Sequence, residues 1–156
     1  MITQMITETK KDIRSLSLKD LRKFFKENQD KAFRGNQVYQ WLWQKGIHDF
    51  DGMTNLSKST RTLLQKNFII KHIDIDLQQK SRDGTIKNAV KLHDNLVVES
   101  VLIPTSNRTT ACVSSQVGCS LDCKFCATAK IKRMRNLKAD EIYDQVVLIT
   151  KQSQEF

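Results

Sequence analysis

The period of the apolar residues changes once along the chain, near residue 73, and that change decides what it can fold into. Upstream, apolar residues recur at helical spacing: Leu18, Leu21, Phe24 and Phe25, then Val38, Trp41 and Leu42, then Leu63 and Leu64. Ser17 is placed to cap the first helix, with Asp20 three residues on, and this helix is expected to end near Asn28. A second helix is expected from about Gly35 to Gly46, and Ser57 starts a third. Downstream, Ile73, Ile75 and Leu77 alternate with polar residues, and two turn signals follow, Arg82-Asp83-Gly84 and His93-Asp94-Asn95. The runs between them predict three strands on short turns, an antiparallel meander closed by Pro104.

Another short strand is expected from Thr109 to Ser114, then a cysteine-bearing loop to Arg135, then a helix from about Lys138 with Ile142, Val146 and Ile149 on one face. The expected class is therefore α/β in three parts: a helical domain over 1–72, the meander over 73–104, and a strand, loop and helix over 105–156. One strand and one helix cannot close a sheet, and the ending KQSQEF has no terminating feature, so we expect a truncated chain.

At 156 residues, with 39% apolar and 28% charged residues, 5 Gly and 1 Pro, the composition is that of a globular chain and excludes a collagenous or disordered one. A large self-contained enzyme is excluded by length, since a domain takes roughly 100–200 residues. The first residues, MITQMITETKKD, lack the apolar core of a secretion signal, and no apolar run approaches the roughly 18 residues that a membrane span needs. We expect a cytoplasmic protein without membrane contact. The net charge is +9, with fourteen basic against eight acidic residues over 1–74, four against four over 75–104, and eight against five over 105–156. An excess confined to the two outer parts suits a polyanion, with RNA or DNA the leading candidate, or else a solubilising surface.

All 4 cysteines fall between Cys112 and Cys126, whereas a disulfide framework spreads its cysteines to tie distant loops. Cys119, Cys123 and Cys126 form C-x3-C-x2-C. Three thiolates on one loop can hold three irons of a [4Fe-4S] cluster and leave the fourth iron open to chelate S-adenosylmethionine. Phe125 places an apolar side chain beside the last thiol, and Gly118 lets the loop bend at its start. The competing use of the same residues is tetrahedral zinc with Cys112 as fourth ligand. Read alone, Cys112 fits a buried strand thiol and Glu99 a solvent-facing strand residue.

Several segments together carry a resemblance. Cys112 to Cys126 with Arg135-Asn136-Leu137, preceded by Ser81-Arg82-Asp83-Gly84-Thr85-Ile86-Lys87 and by Glu99 to Pro104, resembles the radical S-adenosylmethionine RNA methyltransferases that modify carbon 2 of adenine. Upstream, Phe33 to Tyr39 and Trp41 through Met53 to Leu56 are similar to that family's N-terminal helical accessory domain. The resemblance implies a partial (βα) radical barrel opening after the accessory domain, with Cys119, Cys123 and Cys126 as cluster ligands. The implied substrate is large-subunit ribosomal RNA, in some members also tRNA. The implied partners include an external electron donor, and the implied state is a monomer.

Carbon 2 of adenine is not a nucleophile, which rules out ordinary polar methyl transfer. In the family, a cysteine near the C-terminus carries the methyl group to the base through a radical, and a second cysteine resolves the adduct by forming a disulfide. The resemblance gives Cys112 that resolving role and Glu99 the role of proton acceptor or of orienting the adenine. It places the methyl-carrying cysteine and the remaining S-adenosylmethionine contacts beyond Phe156. The chain departs from the family where Ile131-Lys132-Arg133-Met134 stands in place of a Gly-aromatic pair before Arg-Asn-Leu. The basic residues Lys130, Lys132, Arg133 and Arg135 are candidates for phosphate contact or a solvated loop.

Overall fold

The Ser17 hydroxyl accepts the Asp20 N–H at 3.2 Å while the Asp20 carboxylate accepts the Ser17 N–H at 3.1 Å, the reciprocal cap that starts α1 (Leu18–Glu27). In this computed structural model, which describes residues 10–121 and 123–154, α1 belongs to the first of two compact units, Met1–Lys71 and His72–Phe156. The start of α2 (Phe33–Trp43) lies two residues before the expected Gly35. Gly35 is where the two helices touch: a Cβ there would come within 2.7 Å of the Arg22 backbone nitrogen. Ser57 caps α3 (Lys58–Asn67) through the Thr60 N–H, as expected. Leu21, Phe25, Val38, Leu42 and Leu64 from the three helices meet in one core with Met53. Two short strands, β1 (Lys11–Asp12) and β2 (Phe68–Ile69), pair in parallel and join the two ends of the unit. Tyr39, Trp41 and Trp43 pack against this core, the usual use of aromatic residues at helical spacing.

In the second unit, β3 (Asp74–Lys80), β4 (Ile86–Lys91), β5 (Val97–Pro104) and β6 (Thr109–Cys112) form one sheet in that order, every pair antiparallel. Both hairpin turns use the residues that the sequence signals. Gly84 adopts φ +85° beside Asp83, whose carboxylate accepts the Thr85 N–H at 3.0 Å. Asn95 adopts φ +65° beside Asp94, which accepts the Leu96 N–H at 3.3 Å. The strand expected from Thr109 to Ser114 runs over Thr109–Cys112 and is the edge strand of the same antiparallel sheet, paired with β5. Beyond it, β7 (Gln116–Val117) pairs antiparallel with β8 (Arg135–Asn136), and α4 (Ala139–Ser153) returns over β5 and β6.

Two expectations about packing change. Alternation predicts that β3 buries one face, yet all seven of its residues are exposed, Leu77 at 57%. It is an edge strand, and α4 packs over β5 and β6 instead. On α4, Ile142 and Ile149 pack into the cores under the sheet as expected, whereas Val146 is exposed. The side that meets the sheet carries Glu141, Gln145, Ile149 and Gln152. The contact is part apolar, through Ile142, Leu148 and Ile149, and part polar: Gln152 and Asn88 of β4 exchange two hydrogen bonds at 2.9 and 3.0 Å, both side chains buried. Gln145 accepts the Ser114 N–H at 2.9 Å and donates to the Ser114 carbonyl at 3.1 Å, fixing the chain as it leaves β6.

Among the described residues, no helix is long and apolar enough to cross a membrane.

Candidate functional site

Because side chains alternate along a strand, the two faces of the β3–β6 sheet differ in kind. Asn88, Ser100 and Leu102 are buried on the α4 side. Lys87 and Glu99 lie on the opposite, open face, where the Lys87 ammonium and the Glu99 carboxylate are 2.6 Å apart. Cys112 stands opposite Val101, two residues from Glu99 on β5, so Glu99 and Cys112 are diagonal neighbours on that same face. Such diagonals are typically about 7–8 Å apart at Cα. The Cys112 thiol is free and exposed, which removes its reading as a buried strand thiol, and Glu99 is solvent-facing. The sheet thus brings together the two residues singled out for chemistry.

The other three cysteines lie on the loop between β7 and β8. That loop is closed at its base by the pairs Gln116 with Asn136 and Val117 with Arg135, and further in by Met134 N–H to Val117 O at 2.9 Å and Cys119 N–H to Ile131 O at 3.0 Å. Gly118 turns the chain into the loop with φ +70°. A Cβ at Gly118 would run into the backbone carbonyl of Lys132 and come within 2.8 Å of that of Ile131, so only glycine fits. The thiols of Cys119, Cys123 and Cys126 are free and half-buried. The Cys126 thiol is held below the usual thiol range, first by the Ala129 N–H and then by the Thr128 N–H and hydroxyl, against a smaller opposing effect of burial. That bias toward thiolate is what a metal ligand needs.

Among the described residues, no three His, Cys, Asp or Glu side chains converge closely enough to hold a metal ion in this conformation. In donor chemistry the loop nevertheless fits an iron-sulfur group: three free soft thiols, one biased to thiolate, on a turn closed around a glycine. Phe125 is 93% exposed, so in this conformation it shields neither thiol nor neighbour.

Sequence reasoning missed a charged group at the base of this loop. Arg135 donates from Nη1 and Nη2 to the two carboxylate oxygens of Glu141 at 2.7 and 2.8 Å, and from Nε to Asp94 at 2.8 Å. Glu141 also accepts the Lys138 N–H at 2.8 Å at the start of α4, and His93 Nδ1 lies 3.2 Å from it. Burial pushes the Glu141 carboxyl up, but the Arg135 and Lys138 hydrogen bonds and the charges of Arg135 and His93 outweigh it and hold the group below the usual carboxylate range. Arg135 is therefore occupied and is withdrawn from the phosphate candidates. Arg133 bonds Gln116 and Asn136, whereas Lys130 and Lys132 are exposed. The only sequence signal for this network was the Arg-Asn-Leu motif itself.

Residues 11–70 match the family model for the ribosomal RNA large subunit methyltransferase N-terminal domain, RlmN_N. The chain is 69% identical over 144 residues to the probable dual-specificity RNA methyltransferase RlmN of Flavobacterium johnsoniae, covering 92% of this chain and 41% of that protein. It is 42% identical over 143 residues to the dual-specificity RNA methyltransferase RlmN of Geotalea uraniireducens, covering 92% and 42%. A crystal structure of a radical SAM methyltransferase from Sphaerobacter thermophilus superposes with TM-score 0.78 at 32% identity, over 93% of this chain and 43% of that one. The chain thus spans about two fifths of the length of the curated relatives it matches. The first unit thus matches the N-terminal domain of an RlmN methyltransferase, and the identity to proteins of that kind runs on through the sheet and the cysteine loop.

Proposed function

We propose that this chain carries the accessory unit and the cluster-binding segment of a radical S-adenosylmethionine methyltransferase. The enzyme acts on carbon 2 of adenine in large-subunit ribosomal RNA and in tRNA. The observation that carries the reading is the loop of Cys119, Cys123 and Cys126, closed by β7 and β8 around Gly118. These three thiolates would hold a [4Fe-4S] cluster, which when bound supplies the electron that cleaves S-adenosylmethionine at its open iron.

The chain's own residues do the rest of what can be assigned here. Glu99 presents a carboxylate on the open sheet face to orient the adenine or take its proton, with Lys87 fixing where that carboxylate points. Cys112, on the same face, keeps an exposed free thiol for resolving a covalent RNA adduct by disulfide formation with a cysteine outside this chain. Phe125 is the apolar neighbour available to a bound cluster or adenine once the loop closes on it. Exposed Lys130 and Lys132 are available to RNA phosphates. An external one-electron donor, a monomeric state and the cytoplasm, where thiols stay reduced, complete the proposal.

The test is anaerobic addition of ferrous iron and sulfide to the reduced chain. A brown protein with about four irons per chain supports the cluster. A colourless protein that binds one zinc and loses it on Cys112→Ala supports a four-thiolate zinc module without enzymatic activity instead.

A further inference from the structure

Every nitrogen of the Arg135 guanidinium is engaged within its own unit. Nε donates to Asp94 Oδ2 at 2.8 Å and Nη2 lies 2.7 Å from the same oxygen. Nη2 also donates to Glu141 Oε1 at 2.8 Å, and Nη1 donates to Glu141 Oε2 at 2.7 Å and to the Asn136 carbonyl at 3.2 Å. The acceptors come from separate elements. Asp94 sits in the turn between β4 and β5, and Glu141 in the first turn of α4. The Glu141 side chain is 3% exposed and that of Arg135 26%, so their contact is a partly buried, bidentate, charge-assisted pair, a stronger class than a surface ion pair.

Arg135 also occupies a particular place in the backbone. It pairs with Val117, the residue before Gly118, at the base from which the cysteine loop springs. That base is weak by itself: β7 and β8 have two residues each, and an isolated ladder of that length does not hold its register. A slip of one residue would turn Val117 out of its core with Leu137 and move Cys119 away from Ile131. The side-chain clamp prevents this by tying β8 to a hairpin turn on one side and to a helix start on the other.

We infer that Arg135 is a positioning residue for Cys119, Cys123 and Cys126: through Asp94 and Glu141 it fixes the base of their loop and so sets whether the three thiols can bind one iron-sulfur group. The identity of that group rests on the proposed function; the clamp does not. Arg135 touches no cysteine and holds no metal, and its effect passes through the β7–β8 pairing.

The experiment uses the whole chain with Arg135→Ala, Arg135→Lys and Asp94→Asn, and reads two quantities. Amide hydrogen exchange at Cys119 and Met134 in the metal-free protein reports the base of the loop. Anaerobic loading with ferrous iron and sulfide, followed by visible absorption and iron content, reports the thiols. In Arg135→Ala the two amides should exchange about tenfold faster or more while amides of α1 to α3 are unchanged. Its iron affinity should fall about tenfold or more, the usual cost of removing an outer support at a metal site. Arg135→Lys can hold one carboxylate and should recover part of both quantities. If Arg135→Ala unfolds the second unit, Asp94→Asn decides, because it loosens one arm from an exposed turn and should give intermediate exchange and intermediate loading.

Unchanged exchange and unchanged loading in the variants overturns the inference, and so does faster exchange with loading equal to the parent chain. A parent chain that takes up no iron-sulfur group, with Arg135→Ala still loosening the two amides, supports the clamp and overturns the cluster.

Discussion

Lys87 Nζ lies 2.6 Å from Glu99 Oε1 on the face of the sheet opposite α4, with Cys112 diagonal to Glu99 on the next strand. Both partners of the ion pair are about half exposed, 46% and 55% at the side chain. An exposed pair of this kind contributes at most about 1 kcal/mol to folding. What it does contribute is direction, since a bonded carboxylate points one way.

Lys87→Gln and Glu99→Gln should therefore each change the unfolding free energy by less than about 1 kcal/mol. In a protein that spans the full length of the relatives, both should lower adenine methylation. Denaturant titration of the variants and product analysis on an RNA substrate measure the two effects. A loss of stability above about 2 kcal/mol with methylation intact would make the pair part of the fold instead.

The features legible in the sequence were those whose causes are local. Ser17 with Asp20, Ser57, Asp83-Gly84 and Asp94-Asn95 each act within four residues, and each forms the cap or turn that its chemistry dictates. What was not legible depends on partners far away in sequence. Arg135 reads as a free cation until it meets Asp94, 41 residues earlier. Apolar periodicity places Ile142 and Ile149 correctly on the packed side of α4, but it cannot register the polar part of that contact, where Gln152 finds Asn88, 64 residues away. Val146, expected on the same face, is exposed. Glu99 and Cys112 were identified by resemblance, but only strand register shows that they share a face.

Gln145 tests how far that polar packing carries the site. Its amide satisfies both the N–H and the carbonyl of Ser114 and is fully buried. Gln145→Leu keeps the volume and abandons both backbone groups, each costing about 1–3 kcal/mol when left buried and unbonded. The second unit should lose about 2–4 kcal/mol, read by denaturant titration. A loss under about 0.5 kcal/mol would show that water satisfies Ser114 in place of Gln145.

Cys126 should be the first of the three loop thiols to react. The Ala129 N–H, the Thr128 N–H and the Thr128 hydroxyl favour its thiolate, and the thiolate is the nucleophile. Brief treatment of the reduced, metal-free chain with iodoacetamide at neutral pH, followed by peptide mass spectrometry, should show alkylation at Cys126 ahead of Cys119 and Cys123. Thr128→Val should narrow the difference. Equal rates at the three positions would remove the thiolate bias from the case for metal binding.

Gly118→Ala should damage the loop and spare the first unit. The residue must hold φ +70°, which costs an L residue about 1–2 kcal/mol, and the new methyl group meets the Lys132 and Ile131 carbonyls, which belong to backbone. The loop must open to make room. Amide exchange should rise across residues 117–134 with α1 to α3 unchanged, and iron loading should fall. If loading survives, the closed turn is not what gathers the thiols.

Acid should release the clamp before it unfolds the helical unit. Glu141 and Asp94 both titrate below the ordinary carboxylate range. In each, burial acts upward and the Arg135 hydrogen bond, with a backbone N–H from Lys138 or Leu96, outweighs it. A carboxylate with a folded-state pKa below its unfolded value binds fewer protons when folded, so the stability it gives is complete above the unfolded value, about pH 4, and is lost as pH falls through the folded value. The second unit should therefore hold its stability from pH 7 to about pH 5 and lose it below about pH 4. Arg135 stays charged throughout, its pKa raised further first by the Glu141 hydrogen bond. Glu141→Gln should be less stable than the parent at pH 7 and show a shallower decline below pH 4, because the main proton acceptor of the clamp is gone. Denaturant midpoints for the second unit at pH 7, 5, 4 and 3, followed by amide exchange at Cys119 and Met134, measure both slopes, and identical slopes in the parent and in Glu141→Gln would show that the acid sensitivity arises elsewhere.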